Sequence, residues 1–158
     1  MLEDLNKYKF LEPLKENWKH IHSEYKAIEK FNTPWGEEEI YNKGWEVFGL
    51  IHKNDDLVEN QDLCPFTTNL IKQIPKVFIA GFSILKPNCV IYPHYGYNNK
   101  VLRSHLGLDC PKDAYLKVED RVQCWENGEM FVFDDTKIHE ACNNSDETRV
   151  IFILDFYK

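Results

Sequence analysis

The chain has 158 residues, 43% hydrophobic and 14% aromatic, with a formal net charge of −7. That length and apolar content suit one compact domain, residues 1–158, with a real core, and exclude a disordered chain. The acidic balance argues against nucleic acid as a partner, because neutralising phosphates takes a basic face.

No apolar run approaches the ~18 residues that a membrane-spanning helix needs. The start, Met1 to Lys7, has neither the basic nor the apolar region of a secretory signal. The five cysteines, Cys64, Cys89, Cys110, Cys124 and Cys142, are odd in number and form no Cys-x-x-Cys pair. They read as reduced, mostly buried thiols of a cytoplasmic protein without membrane insertion. A zinc site built on them is disfavoured for lack of paired short spacing.

In chain order, Glu12 to Lys30 predicts one amphipathic helix. Leu14, Trp18, Ile21, Tyr25 and Ile28 recur at spacings of four, three, four and three, and Pro13 suits the first turn. His20 and His22 lie in this helix with nothing chemical around them and read as solvated or capping residues. Residues 32–36 break the helix. Gly44 to Ile51 alternates like a strand. His52, Asp55 and Asp56 read as a solvated loop, and Cys64-Pro65 opens a short helix from Phe66 to Ile74. The helical flank thus covers about 1–75 and a strand-rich core about 76–156.

In that core the pattern predicts strands at 77–85, 89–94, 100–108, 115–119, 121–125, 130–134 and 148–156, with a shorter one near 137–142. Gly96 to Asn99 reads as a turn closing a short hairpin that holds His94, Arg103 and His105. Asn127-Gly128 is a strong hairpin signal. Many short strands behind a helical front suit a mainly β, jelly-roll (cupin-like, double-stranded β-helix) fold.

The chemistry-bearing residues collect in this half. Arg103 and His105 are two apart and leave one strand face. His94 precedes them. His139 comes 45 residues after His94, and Arg149 ten after that, in an otherwise apolar strand. A surface Arg149, or one paired with Asp155, is the simpler reading of that residue alone. Together, two histidines and a cation on a jelly roll match a non-haem Fe(II) site that also holds a carboxylate cosubstrate. Two other readings stay open: a three-histidine zinc site from His94, His105 and His139, and a non-catalytic jelly roll binding a small molecule.

Several segments carry a closer likeness: Ala80 to Asn88, Tyr92-Pro-His94-Tyr-Gly96, Leu102-Arg103-Ser-His105-Leu-Gly-Leu108, Phe133-Asp134-Asp135-Thr-Lys-Ile-His139-Glu140 and Arg149 to Asp155. In order and spacing they resemble the aspartyl/asparaginyl β-hydroxylase family over residues 40–156. The resemblance implies an Fe(II)- and 2-oxoglutarate-dependent dioxygenase that hydroxylates a C–H of a peptide or protein side chain or a small molecule. It implies His94 and His139 as catalytic metal ligands, with Gly96 where a third, carboxylate ligand usually stands and water filling that place. It implies Ser83, Arg103, His105 and Arg149 as the 2-oxoglutarate site. Arg149 and Ser83 would meet the distal carboxylate, and Arg103 and His105 the end nearer the metal. The physics agrees, since a doubly charged ligand in an apolar pocket needs cations and donors around it.

At the prime-substrate side, family members that act on acidic side chains carry an arginine where this chain has Val101, while Asp135 matches a carboxylate that they present to substrate. A neutral or cationic group near the metal is therefore expected. The family's lipid hydroxylases carry apolar, membrane-associating ends. None is visible here, so an acyl-chain substrate is the less favoured expectation.

Overall fold

Alternating apolar residues dominate the second half of the chain, and the structure, a computed structural model describing residues 2–158, arranges them in two sheets. The strands are β1 (Leu2–Glu3), β2 (Thr33–Pro34), β3 (Trp45–His52), β4 (Asp55–Asp56), β5 (Val77–Leu85), β6 (Val90–His94), β7 (Val101–Asp109), β8 (Ala114–Val118), β9 (Arg121–Cys124), β10 (Met130–Phe133), β11 (His139–Asn143) and β12 (Arg149–Tyr157). The large sheet runs β1-β10-β7-β12-β5-β3-β2, with β4 paired to β3. The small sheet runs β6-β11-β8-β9. Every pairing within the two sheets is antiparallel. This is the expected mainly β double-stranded β-helix with helices at one side.

The large sheet has a core on each face, and β12 shows why. Val150, Phe152, Leu154 and Phe156 point to one side, where they join Leu14, Ile21, Tyr25 and Ile28 of the helices. Arg149, Ile151, Ile153 and Asp155 point to the other, the barrel interior, where the two isoleucines meet Ile91, Leu116, Val118 and Ala141 of the small sheet. Fully burying each large apolar side chain contributes about 1.5–3 kcal/mol. An arginine on the interior face is the exception that needs a reason.

The predicted helix over 12–30 is two helices, α1 (Glu12–Glu16) and α2 (Trp18–Ile28). Between them the Asn17 side-chain amide donates to Pro13 O at 2.7 Å, a local bond that competes with the helix ladder. The apolar face is nevertheless the expected one, with Leu14, Ile21, Tyr25 and Ile28 buried. The segment after β3 holds α3 (Val58–Leu63), which no periodicity announced, and α4 (Pro65–Lys72) follows with Pro65 in its first turn. Glu24 caps α4 by accepting from the Phe66 and Thr67 N–H groups. The flank is not purely helical, since β3 pairs with β5 inside the large sheet and Asp55-Asp56 pairs back onto β3.

Two expected hairpins are crossovers instead. β6 pairs with β11, and β7 pairs with β10 and β12, so residues 95–100 pass from one sheet to the other. Likewise β9 pairs with β8 and β10 with β7 and β1, so the Asn127-Gly128 turn also changes sheet. The turn itself is real. Gly128 has φ +78° and Glu129 N–H donates to Glu126 O at 3.1 Å. The five cysteines are free, with Cys64, Cys89 and Cys142 buried.

Candidate active site

The β6–β11 pairing sets His94 directly opposite His139. The two rings lie 4.2 Å apart between centroids. In each, Nδ1 sits on the carbonyl two residues earlier, Tyr92 O at 2.7 Å and Lys137 O at 2.8 Å. A carbonyl only accepts, so both Nδ1 atoms carry the proton and each Nε2 keeps the lone pair that a metal needs. Burial lowers the His139 pKa to about 4, with the charges of His94 and Arg103 adding to the shift despite the opposing Lys137 bond. His139 is therefore neutral at physiological pH.

Gly96, two residues after His94, has no room for a side chain. A Cβ there would lie 2.5 Å from Asp135 Oδ2 and 2.6 Å from its Cγ. The Gly96 N–H donates to Asp135 O at 2.7 Å, which holds the two segments together. The buried Asp135 carboxylate thus occupies the space that a ligand at position 96 would fill. Its Oδ1 has no hydrogen-bond partner among the described residues. Burial raises its pKa, more than Arg103 lowers it.

Arg103 forks onto Asp155, Nε to Oδ1 and Nη2 to Oδ2, both at 2.8 Å, and lies 3.6 Å from Asp135 Oδ2. Burial opposes the Arg103 cation, but Asp155 and Asp135 outweigh it and raise its pKa. Asp155 lies six residues from Arg149 along β12, roughly 20 Å away, and is out of its reach. Arg149 is 2% exposed, and among the described residues its hydrogen bonds run only to Ser83, O and Oγ, each at 3.0 Å. Its Nε has no partner among the described residues. Burial lowers its pKa to about 10, so at neutral pH it remains a cation, with no anionic partner among the described residues. His105 beside it has a buried Nε2 without a partner among the described residues, and its pKa is lowered well below the usual range by burial and then by Arg103 and Arg149. A buried donor left unsatisfied costs about 1–3 kcal/mol. Several lie on one interior face, a donor set that fits an acceptor-rich anion.

The structure therefore brings the sequence-predicted residues into two groups. His94, His139, Arg103 and Asp135 gather at the mouth; Ser83, His105 and Arg149 lie deeper on the large sheet. Phe133 packs against both His105 and His139, with ring centroids at 5.0 and 5.8 Å. Among the described residues no three His, Cys, Asp or Glu side chains converge on one metal position, so the three-histidine arrangement does not form. The donor set that fits a metal is the pair of open Nε2 atoms, and the donor set that fits a carboxylate is the orphaned one around Arg149. A cavity of about 390 Å³ opens beside His94, lined by Trp35, Trp45, Tyr95, Val101, Arg103 and Asp135 among others. Sequence reasoning missed Trp45 and Trp125. The signal was there: a tryptophan in an interior needs a partner for its N–H.

Fold and site together define a double-stranded β-helix with a histidine pair at its mouth. Among solved structures, a Pseudomonas putida prolyl-4-hydroxylase shares this fold at TM-score 0.59 and 13% identity, covering 91% of this chain and 87% of that one. A predicted oxalate decarboxylase from Thermotoga maritima shares it at TM-score 0.55 and 9% identity, covering 80% and 92%. Residues 15–158 match the family described as Aspartyl/Asparaginyl beta-hydroxylase, and the chain belongs to that family. Similar relatives include the ornithine lipid ester-linked acyl 2-hydroxylase of Rhizobium tropici, 37% identical over 72% of this chain and 42% of that protein. The aspartate beta-hydroxylase domain-containing protein 2 of Xenopus tropicalis is 32% identical over 93% and 44%. The human aspartyl/asparaginyl beta-hydroxylase is 30% identical over 91% and 20%. The chain spans less than half the length of these curated relatives. No helix among the described residues is long and apolar enough to cross a membrane.

Proposed function

We propose that this protein is an Fe(II)- and 2-oxoglutarate-dependent hydroxylase acting on a C–H of a peptide side chain or small molecule. The observation that carries the proposal is Arg149, a buried cation without a carboxylate partner among the described residues, on the barrel face that leads to the histidine pair. His94 and His139 would hold the iron through Nε2. Arg149 and Ser83 would take the distal carboxylate of 2-oxoglutarate, and His105 and Arg103 its other end, with Arg103 held in place by Asp155. Iron, 2-oxoglutarate and O₂ together supply the oxidising chemistry, with succinate and CO₂ as co-products.

The protein's own contribution is orientation and charge. The two carbonyl-anchored imidazoles fix where their lone pairs point. The Arg149 guanidinium, already desolvated, binds its anion without reorganising. The cavity beside His94 would take the prime substrate, with Val101 and Asp135 on its wall. An apolar side chain at 101 offers nothing to a substrate carboxylate, and Asp135 favours a neutral or cationic group.

A second reading is hydroxylation of an acyl chain. It is favoured by the aromatic and aliphatic cavity wall and by the likeness to the Rhizobium enzyme, whose name states an acyl substrate. The test is succinate formation dependent on Fe(II) and 2-oxoglutarate, run against matched Asp, Asn and Lys peptides and against acyl amides. Loss of turnover in His94→Ala and His139→Ala, with His20→Ala and His52→Ala retained, supports the proposal. Wild-type turnover in His139→Ala contradicts it.

A further inference from the structure

Two buried indoles hydrogen-bond to the polar side chains around Arg149. The Trp125 Nε1–H donates to His105 Nδ1 at 3.1 Å. A ring nitrogen that accepts cannot carry the proton, so neutral His105 holds its hydrogen on Nε2, the buried atom without a partner. The same Trp125 ring carries the Arg149 guanidinium on its face, 4.4 Å from the centroid. On the other side, the Trp45 Nε1–H donates to Ser83 Oγ at 3.1 Å. Arg149 Nη2 donates to the same oxygen at 3.0 Å. With both acceptor positions of Ser83 occupied, its hydroxyl hydrogen is left to be given away. Trp45 is itself fixed by stacking on Trp35, with centroids 4.1 Å apart and planes 5° from parallel.

We infer that Trp125 and Trp45 are positioning residues that make the Ser83–His105–Arg149 pocket donor-only, so that it selects ionised carboxylates and turns away groups that bring an N–H or O–H of their own. None of these three side chains then accepts a hydrogen bond from the ligand. An amide or a protonated acid would set its hydrogens against Ser83 O–H, His105 Nε2–H and the guanidinium. The inference deepens the cosubstrate reading above and rests on it for the ligand, but the His105 tautomer does not depend on it.

The test uses the full chain loaded with Zn(II), which is diamagnetic and supports no turnover. Imidazole ¹⁵N spectra should place the His105 proton on Nε2 in the wild type. Trp125→Phe keeps an aromatic ring under Arg149 but removes the N–H, and should give a His105 tautomer mixture. Titration calorimetry should show 2-oxoglutarate binding weakened about tenfold by that change, and its preference over 2-oxoglutaramate, the distal amide, narrowed by Trp45→Phe. A wild-type His105 protonated on Nδ1 overturns the inference without any variant. So does a Trp125→Phe protein with unchanged tautomer and unchanged affinity. If wild-type protein binds no 2-oxoglutarate while the tautomer result holds, the cosubstrate reading fails and the positioning role of Trp125 stands.

Discussion

Arg103 takes both oxygens of Asp155, at 2.8 Å each, while Arg149 on the same strand as Asp155 has no carboxylate partner among the described residues. Asp155 and Arg149 stand on the same face of β12 and are the two charged residues of that strand's interior side. Six residues of extended strand separate them by roughly 20 Å, beyond the reach of both side chains; the register of β7 against β12 sets Arg103 opposite Asp155 instead. Arg149 stands as a buried cation bonded only to Ser83 among the described residues.

The first prediction concerns that cation. Arg149→Met should weaken 2-oxoglutarate binding by about 100- to 1,000-fold, since removing one member of a buried ion pair costs about 3–5 kcal/mol. Metal binding should be unchanged. Titration calorimetry with the Zn(II) protein reads both. A change under about threefold would be that of an exposed arginine.

Asp155→Asn should destabilise the fold by about 3–5 kcal/mol, because it leaves Arg103 buried against Asp135 alone. Urea denaturation measures the loss. A change within about 0.5 kcal/mol, the range of ordinary surface substitutions, would show that the pair contributes little.

Gly96→Ala should cost about 1–3 kcal/mol through overpacking against Asp135. Removing the obstructing carboxylate in the double variant Gly96→Ala with Asp135→Gly should recover part of that cost. Additive effects in the denaturation series would mean that the two residues do not compete for space.

Val101 borders the cavity two residues before Arg103 on the same strand face. Val101→Arg should shift preference toward acidic peptides by roughly 10- to 100-fold, the worth of a desolvated cation–carboxylate contact. Succinate formation with matched Asp and Asn peptides reports it. A wild-type preference for the Asp peptide would show that another cation does this work.

Much of the site was legible because strand alternation is local. The two-residue period of β12 gave the interior placement of Arg149 and Ile151 and the helix-side placement of Phe152. Pairing is not local. Asn127-Gly128 reads as a hairpin and does form a turn, but which strand β10 joins depends on distant β7. The same applies to residues 95–100. Asp155 as the partner of Arg103 needed the register, 52 residues apart in sequence. Helix α3 escaped notice because six polar-rich residues carry no period; its buried Gln61 is instead held by Leu50 O and Asp56. Trp125 escaped because it sits alone at the edge of a polar turn, and its value lies in what folds over it.

The central claim is that Arg149 waits for a carboxylate of a ligand whose other end meets a metal on His94 and His139. A crystal soaked with Mn(II) and N-oxalylglycine, a 2-oxoglutarate mimic, tests it most directly. The account predicts metal density at the two Nε2 atoms, with the mimic's distal carboxylate on the Arg149 guanidinium and the Ser83 hydroxyl. Mimic density in the cavity by Trp35 and Tyr95, with Arg149 still bonded only to Ser83, would contradict it.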